Sequence, residues 1–316
     1  MGSWNELIEE LGRQPTDEAK NQWLLSRQTE TLCEIGRLRG DTNVIFYASA
    51  WLQKPTAPPV TTQLTSEELN GFMSVVHGIE CNRGLTLLLH TPGGQLSAVE
   101  TVAAYLHSKF SSMEVIVPTY AMSAGTMLCL AANRVVMGRQ SQLGPTDPQM
   151  VVGPGQMVSA CAIVDQFEKA KTEIANDLRM AHLWAPILQS LGPALLLEAK
   201  RVLDYAESMV ARWLQAHMFK DQQDPTSDAK RVASYFRGSE HKSHGRRIDR
   251  DEARGQGVIV EDLEANQALQ DAVLTAYHLA TILMDNSPAS KILLNHKGTM
   301  WVKNLGPVVV QRPARP

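Results

Sequence analysis

Between residues 43 and 137 the chain alternates two kinds of apolar pattern. Residues 43–48 and 84–90 are short continuous apolar runs bounded by turn residues, as strands buried on both faces require. Residues 114–118 and 134–137 repeat the pattern. Between them, Val99, Val102, Ala103 and Leu106 recur at three- and four-residue steps, and residues 124–132 are mostly apolar, so both stretches read as helices. Pro55, Pro58 and Pro59 mark a loop, and Thr65-Ser66-Glu67-Glu68 has the capping-box form of a helix start, with the helix reaching Ile79. The alternation predicts an α/β fold with right-handed βαβ units in one parallel sheet.

The flanks read differently. Leu24, Leu25, Leu32, Ile35 and Leu38 carry helical spacing among many charges, which predicts a helical N-terminal segment over residues 1–41. Beyond the Gly- and Pro-rich stretch 144–155 the pattern is mainly helical, over 158–178 and 195–219, followed by a polar loop at 220–228. Residues 232–236, a charged turn at 240–247, and 249–260 then suggest a return to the sheet edge. Residues after Asn286 are punctuated by proline and read as a C-terminal extension, giving a main domain over 42–285 and a tail over 286–316.

Composition narrows the possibilities by exclusion. With 316 residues, 44% of them hydrophobic, the chain can bury a large core. A net charge of −3 and a pI near 6.3 supply no field that attracts nucleic acid. Cys33, Cys81, Cys129 and Cys161 are widely spaced and read as free thiols rather than as a disulfide framework or metal site. No window approaches the ~20 apolar residues of a membrane span, and the N-terminus has no secretory pattern. The expectation is a cytoplasmic protein that needs no cofactor or metal and has neither a membrane span nor a nucleic-acid partner. A phosphate-binding Gly-x-x-x-x-Gly-Lys-Ser/Thr loop is absent, so any ATP dependence would need a separate partner.

The chemistry concentrates in residues 87–149. Thr91-Pro92-Gly93-Gly94 sits where a strand ends, and glycine lets backbone amides approach a developing oxyanion. Ala121-Met122-Ser123-Ala124-Gly125-Thr126 places Ser123 at a helix start, where the dipole favours negative charge, with small neighbours leaving room for substrate. Alone, the first motif reads as a tight turn and the second as an N-cap serine; together they describe a serine hydrolase site. The spacing approximates a nucleophile elbow but lacks the first glycine of the lipase form. Leu143-Gly144-Pro145-Thr146-Asp147-Pro148-Gln149 adds a carboxylate.

These three motifs, in this order, resemble the Clp protease/crotonase superfamily, and within it the serine dehydrogenase proteinase family, related to signal peptide peptidase A. The likeness is specific over 87–149 and weaker over 42–260, where Ser243-His244-Gly245-Arg246-Arg247-Ile248 looks like the family's histidine-containing turn. It implies a Clp/crotonase-like spiral with a helical arm and assembly as a homo-oligomer, with a regulatory protein as a further possible partner. It also implies a serine endopeptidase acting on polypeptide substrates, with Ser123 as nucleophile and amides near Gly93, Gly94 and Ala124 as the oxyanion hole.

The base is left open. Asp147 stands where the Clp subunit keeps its histidine, which suggests an exchanged arrangement: Asp147 orients an imidazole, and His244, or else His241, takes the proton of Ser123. Imidazole is the side chain that ordinarily titrates near neutrality. Lys169 and Lys171, on a predicted helix beside Glu168, are the alternative bases, since signal peptide peptidases use a lysine. His241 and His244 lack further zinc ligands in the sequence, and Arg246, Arg247, Arg250 and Arg254 alternate with acids as a salt-bridged face. Two other classes remain on the same fold: a non-catalytic peptide-binding or assembly module, and a crotonase-like acyl-CoA enzyme, the latter disfavoured by a nucleophilic serine at the helix start.

Overall fold

The computed structural model describes residues 3–152, 156–192, 194–238, 241 and 243–306. Its centre is a seven-stranded sheet. The parallel strands are β1 (Asn43–Ser49), β2 (Leu85–His90), β3 (Met113–Val117), β5 (Arg134–Met137) and β9 (Val260–Asp262). Antiparallel β10 (Ala289–Asn295) and β11 (Met300–Asn304) complete the order β11-β10-β1-β2-β3-β5-β9. Every residue of β1, β2, β3 and β10 is buried, which is why these runs lack polar alternation.

Period-two alternation splits those strands between two cores. Ile45, Tyr47, Leu87, Leu89 and Val115 pack with Phe72 of α3 (Glu68–Val76), Val99, Val102 and Leu106 of α4 (Leu96–Lys109) and Leu128 of α5 (Ala124–Leu130). Val44, Phe46, Leu88 and Ile116 face the other way, onto Leu32 and Ile35 of α2 (Asp17–Leu38) and Val273 and Ala276 of α11 (Gln267–Asp285). The result is a three-layer α/β/α core. Arg39, just past α2, forks onto Glu114 and Glu261 at 2.6–2.9 Å and ties that helix to β3 and β9.

An arm leaves this core after short β4 (Tyr120–Ala121) and β6 (Gln142–Leu143). It consists of a hairpin of β7 (Gln149–Val152) and β8 (Gln156–Ser159), then α6 (Ala160–Asn176), α7 (Ala181–Ser190) and α8 (Leu195–Trp213), the last continued by a π turn over Leu214–Met218. Ala160, Ile163, Ala199 and Leu203 form its small core, whereas α7 buries none of its ten residues. Helices α9 (Pro225–Arg237) and α10 (Arg250–Gly255) lead back to β9.

The sequence reading holds for the strands 43–48, 84–90, 114–118 and 134–137 and for the helices between them. Three readings need correction. Residues 232–236 are the end of helix α9, whose Ala229, Val232, Ala233 and Phe236 bury one helical face; the return to the sheet edge is made by β9 alone. The segment after Asn286 is not an extension as far as residue 304. β10 pairs antiparallel with β1 in the middle of the sheet, and the run Ile292, Leu293, Leu294 is fully buried there. The N-terminal helix α2 likewise contributes to the main core instead of standing apart from it. The tail beyond residue 306 and parts of the 240–247 turn lie outside the described residues.

No single helix among the described residues is long and apolar enough to cross a membrane; residues 178–190 and 195–218, bent by 68°, pass that test only as a pair. The four cysteines are free, with Cys129 and Cys161 buried.

Candidate active site

The site begins where three strands end. Thr91 N–H donates to Tyr120 O at 3.0 Å, and Met122 N–H donates to Thr91 O at 3.1 Å, so the Thr-Pro-Gly-Gly turn and the serine segment are sewn side by side. Gly93 lies so close that a Cβ there would stand 2.8 Å from Ser123 Cβ and 3.0 Å from Ala124 N. A Cβ on Gly125 would meet Thr91 Cγ2 at 2.5 Å. Glycine is required at both places by contact, and at Gly93 also by its φ of +98°.

Ser123 has φ 52° and ψ −115°. A residue with a Cβ adopts such a conformation only where its surroundings impose it, and the sharp strand-to-helix turn of a nucleophile elbow is one such place. Ser123 occupies the N-cap position of α5, yet its side chain makes no capping bond, and its hydroxyl has no hydrogen-bond partner among the described residues. An N-cap serine would spend its oxygen on the helix amides. This one leaves it free.

Two backbone amides of these segments have no partner among the described residues either. Gly93 N–H is committed to Thr91 Oγ1 at 3.1 Å. Gly94 N–H and Ala124 N–H, the latter the first amide of α5, have no partner among the described residues. The Leu143–Gln149 loop is fixed to this pair of segments by Thr126, whose Oγ1 donates to Ala121 O at 2.7 Å and accepts from Gly144 N–H at 2.9 Å. Thr126 was part of the serine motif, but nothing in the pattern marked its side chain as the tie.

Three residues past Gly144 stands Asp147, only 5% exposed. Its Oδ1 is 2.8 Å from His244 Nδ1, and its Oδ2 accepts from Ser159 Oγ at 2.5 Å. A carboxylate can only accept, so Nδ1 carries a proton, and in the neutral imidazole that tautomer leaves Nε2 as the acceptor. Ser159 also caps α6, accepting from Cys161 N–H at 3.1 Å. Nothing in the sequence pattern singles out Ser159, since its bond to Asp147 depends on the arm folding back. The histidine turn reaches this loop because Leu143 and Ile248 exchange two 2.9 Å backbone bonds and Thr146 N–H donates to Phe236 O at 2.9 Å.

Asp147, Ser159, Cys161, His241 and His244 line a small cleft of about 110 Å³. A larger apolar groove of about 590 Å³ runs between α2, α11, β10 and β11, but Glu18 is the one ionisable side chain among its lining residues, and no serine, cysteine, histidine or lysine accompanies it. Chemistry, not size, therefore selects the site.

The other sequence candidates fall elsewhere. His241 is buried with both ring nitrogens engaged, Nε2 on Tyr235 O and Nδ1 on Arg246 Nη1, each at 2.7 Å. Lys169 and Lys171 are exposed on α6 and face Glu173 at 3.9 Å and Glu168 at 3.6 Å; neither bonds to Ser123. Burial first, and Asp147 next, push the Cys161 thiol up to about 11, so it stays protonated at neutral pH and is no rival nucleophile. No hydrogen bond joins Ser123 to His244 among the described residues. Nor does any group of three or more His, Cys, Asp or Glu there suit a metal ion.

A sequence model of the ClpP-like SDH-type serine proteinases matches residues 17–185, more than half of the chain. The chain belongs to this family. The match runs from α2 through the glycine turn, Ser123 and Asp147 into the arm, and stops short of His244. Two uncharacterized proteins of Methanocaldococcus jannaschii are similar to this SDH-type chain. MJ0137 is 34% identical over 119 residues, covering 38% of this chain and 40% of its own. MJ1495 is 26% identical over 154 residues, covering 49% and 51%. The chain thus spans about half or less of the curated relatives it matches. Among solved structures, a serine-to-alanine mutant of the 1510-N membrane-bound stomatin-specific protease is 16% identical, with a TM-score of 0.37 over 63% of this chain and 75% of that one. A lysine-to-alanine mutant of the same protease in complex with a substrate peptide gives the same identity and TM-score, over 71% of its chain.

Proposed function

We propose that this chain is a serine endopeptidase acting on polypeptides through an acyl-enzyme on Ser123. His244 Nε2 takes the hydroxyl proton as Ser123 Oγ attacks the peptide carbonyl. Asp147 holds the imidazole in the required tautomer and stabilises the imidazolium that forms. The N–H groups of Gly94 and Ala124 receive the oxyanion, and Gly93 keeps the two segments in contact. The proton then passes from His244 to the leaving amine, and water, activated by the same imidazole, releases the acyl group.

The observation that carries this reading is the pairing of a strained serine whose hydroxyl caps nothing with a histidine already oriented by a buried carboxylate. The gap between the two is the kind that closes when substrate binds, since apo sites are often loosely arranged. His241, fully engaged with Tyr235 and Arg246, is assigned a structural role in the same turn. We further propose that the arm carries a self-assembly surface, supported by Leu178, Leu183, Ile187 and Leu197, large apolar side chains of the arm that are 43–79% exposed.

Cleavage of a quenched fluorescent protein substrate tests the activity. Wild type should release fluorescence, Ser123→Ala and His244→Ala should not, and the Lys169→Ala/Lys171→Ala variant should match wild type. Loss of cleavage in the lysine variant with retention in His244→Ala would replace the proposed base. An inactive wild type that still binds peptide would point to a non-catalytic binding module, the reading to which the absent Ser123–His244 bond gives its support.

A further inference from the structure

Glu68 and Lys291 form an ion pair with no access to solvent: they are 0% and 1% exposed. Burying two charges is unfavourable unless further hydrogen bonds satisfy both, and an apolar pair of similar volume commonly serves stability as well or better. The other contacts of the pair indicate what it does. Lys291 Nζ donates to Gln63 O at 2.9 Å. Glu68 Oε2 accepts from Thr65 N–H at 2.5 Å and from Thr65 Oγ1 at 2.8 Å. The residues held are the two neighbours of Leu64.

Leu64 is the backbone support of the glycine turn. Its N–H donates to Gly93 O and its carbonyl accepts from Gln95 N–H, both at 2.8 Å, so it brackets Gly94 in an isolated parallel bridge. In that pattern Gly94 turns its own N–H away from Leu64. The approach is close enough that a Cβ on Gly94 would stand 2.1 Å from Leu64 O. No regular strand or α-helix holds this support in place: between β1 and α3 only the single 3₁₀ turn Pro59–Thr61 precedes it. Lys291 comes from β10, far along the chain and beyond the span the family model matches.

We infer that Glu68 and Lys291 are positioning residues that fix residues 63–65 and, through Leu64, aim the Gly94 N–H at the oxyanion; this rests on the serine-peptidase reading. A side chain pair that merely filled the space would leave Gln63 O and Thr65 N–H unheld. The amide would then lose its preorganisation while the fold kept its packing.

The test compares the full-length chain with Glu68→Leu/Lys291→Met, which removes both charges, and Glu68→Gln/Lys291→Met, which returns an acceptor to Thr65. Three quantities are measured: the thermal midpoint, amide hydrogen exchange by mass spectrometry, and the rate of Ser123 labelling by a fluorophosphonate. In the Leu/Met variant, exchange should rise selectively in peptides containing Leu64 and Gly94. Labelling should slow, by up to the roughly 100- to 1,000-fold that loss of an oxyanion donor costs. The Gln/Met variant should recover part of both. Wild-type labelling with unchanged protection at those peptides would overturn the inference, as would exchange that rises evenly across the sheet. If wild type itself takes no label, the peptidase reading falls, and the exchange pattern alone decides whether the pair holds the turn.

Discussion

At the scale of single residues, Ser123 and Gly93 show how the site is held. The serine's conformation is maintained because Gly93 and Gly125, which have no side chains, let the Thr91 turn close against the Ser123 segment. Gly93→Ala would drive a Cβ to 2.6 Å from Met122 O and is expected to remove activity and lower the thermal midpoint together, which a melt and a cleavage assay would read. Asp147→Asn is expected to lower kcat by about 10³- to 10⁴-fold with little change in fold, because an amide facing Nδ1 favours the wrong tautomer; a variant with wild-type kcat would remove Asp147 from the mechanism. His90, at the end of β2, gives a pH prediction. Burial drives it down to about 3, while Thr119 Oγ1 sits 2.8 Å from its Nδ1. Unfolding restores a value near 6.5, so between pH ~6.5 and ~3 the unfolded chain binds a proton that the folded chain refuses. The His90 contribution to stability is therefore whole above pH ~6.5 and falls on acidification by up to about 1.4 kcal/mol per pH unit. Unfolding free energies of wild type and His90→Gln across that range should show the variant with the shallower slope.

At the scale of elements, what could be read in advance depended on whether a signal was local. β1, β2, β3 and β5 are continuous apolar runs ended by turns, and their spacing gave both the parallel sheet and the position of Ser123. α9 was misread because Val232, Ala233 and Phe236 are as compatible with a short strand as with one face of a helix; the helix is decided by Asp224 capping Ser227 N–H and Pro225 in the first turn. β10 was missed because its partner is β1, some 240 residues earlier, and its mixed content of Ser290, Lys291 and Asn295 reads as polar until those side chains are seen bonded to Lys303 O, Gln63 O and Val75 O. The serine segment and the glycine turn were legible as elements because each is a local motif, whereas the Ser159–Asp147 bond depends on the arm folding back. Thr126 joins two of these motifs, so Thr126→Val, which orphans Gly144 N–H, is expected to cost roughly 1–3 kcal/mol and to loosen the Asp147 loop. Chemical denaturation would give the stability loss, and the cleavage assay should show a larger fall in kcat than in substrate affinity.

At the scale of the molecule, an α/β/α core carries Ser123 on one segment and the His244–Asp147 pair on another, held to it through the 143–149 loop. The arm is the least covered part. With Leu183 65% exposed and Ile187 43% exposed, Leu183→Glu/Ile187→Glu is expected to convert an oligomer to monomers in light scattering while leaving the core's melt unchanged. The assignment of roles within the core is tested most directly by intact-mass spectrometry after fluorophosphonate treatment, with peptide mapping of the adduct. One adduct per chain, on Ser123, absent from Ser123→Ala and formed far more slowly in His244→Ala and Asp147→Asn, is the expected result. No adduct on wild type, or an adduct that persists in Ser123→Ala, would contradict the serine–histidine–aspartate assignment.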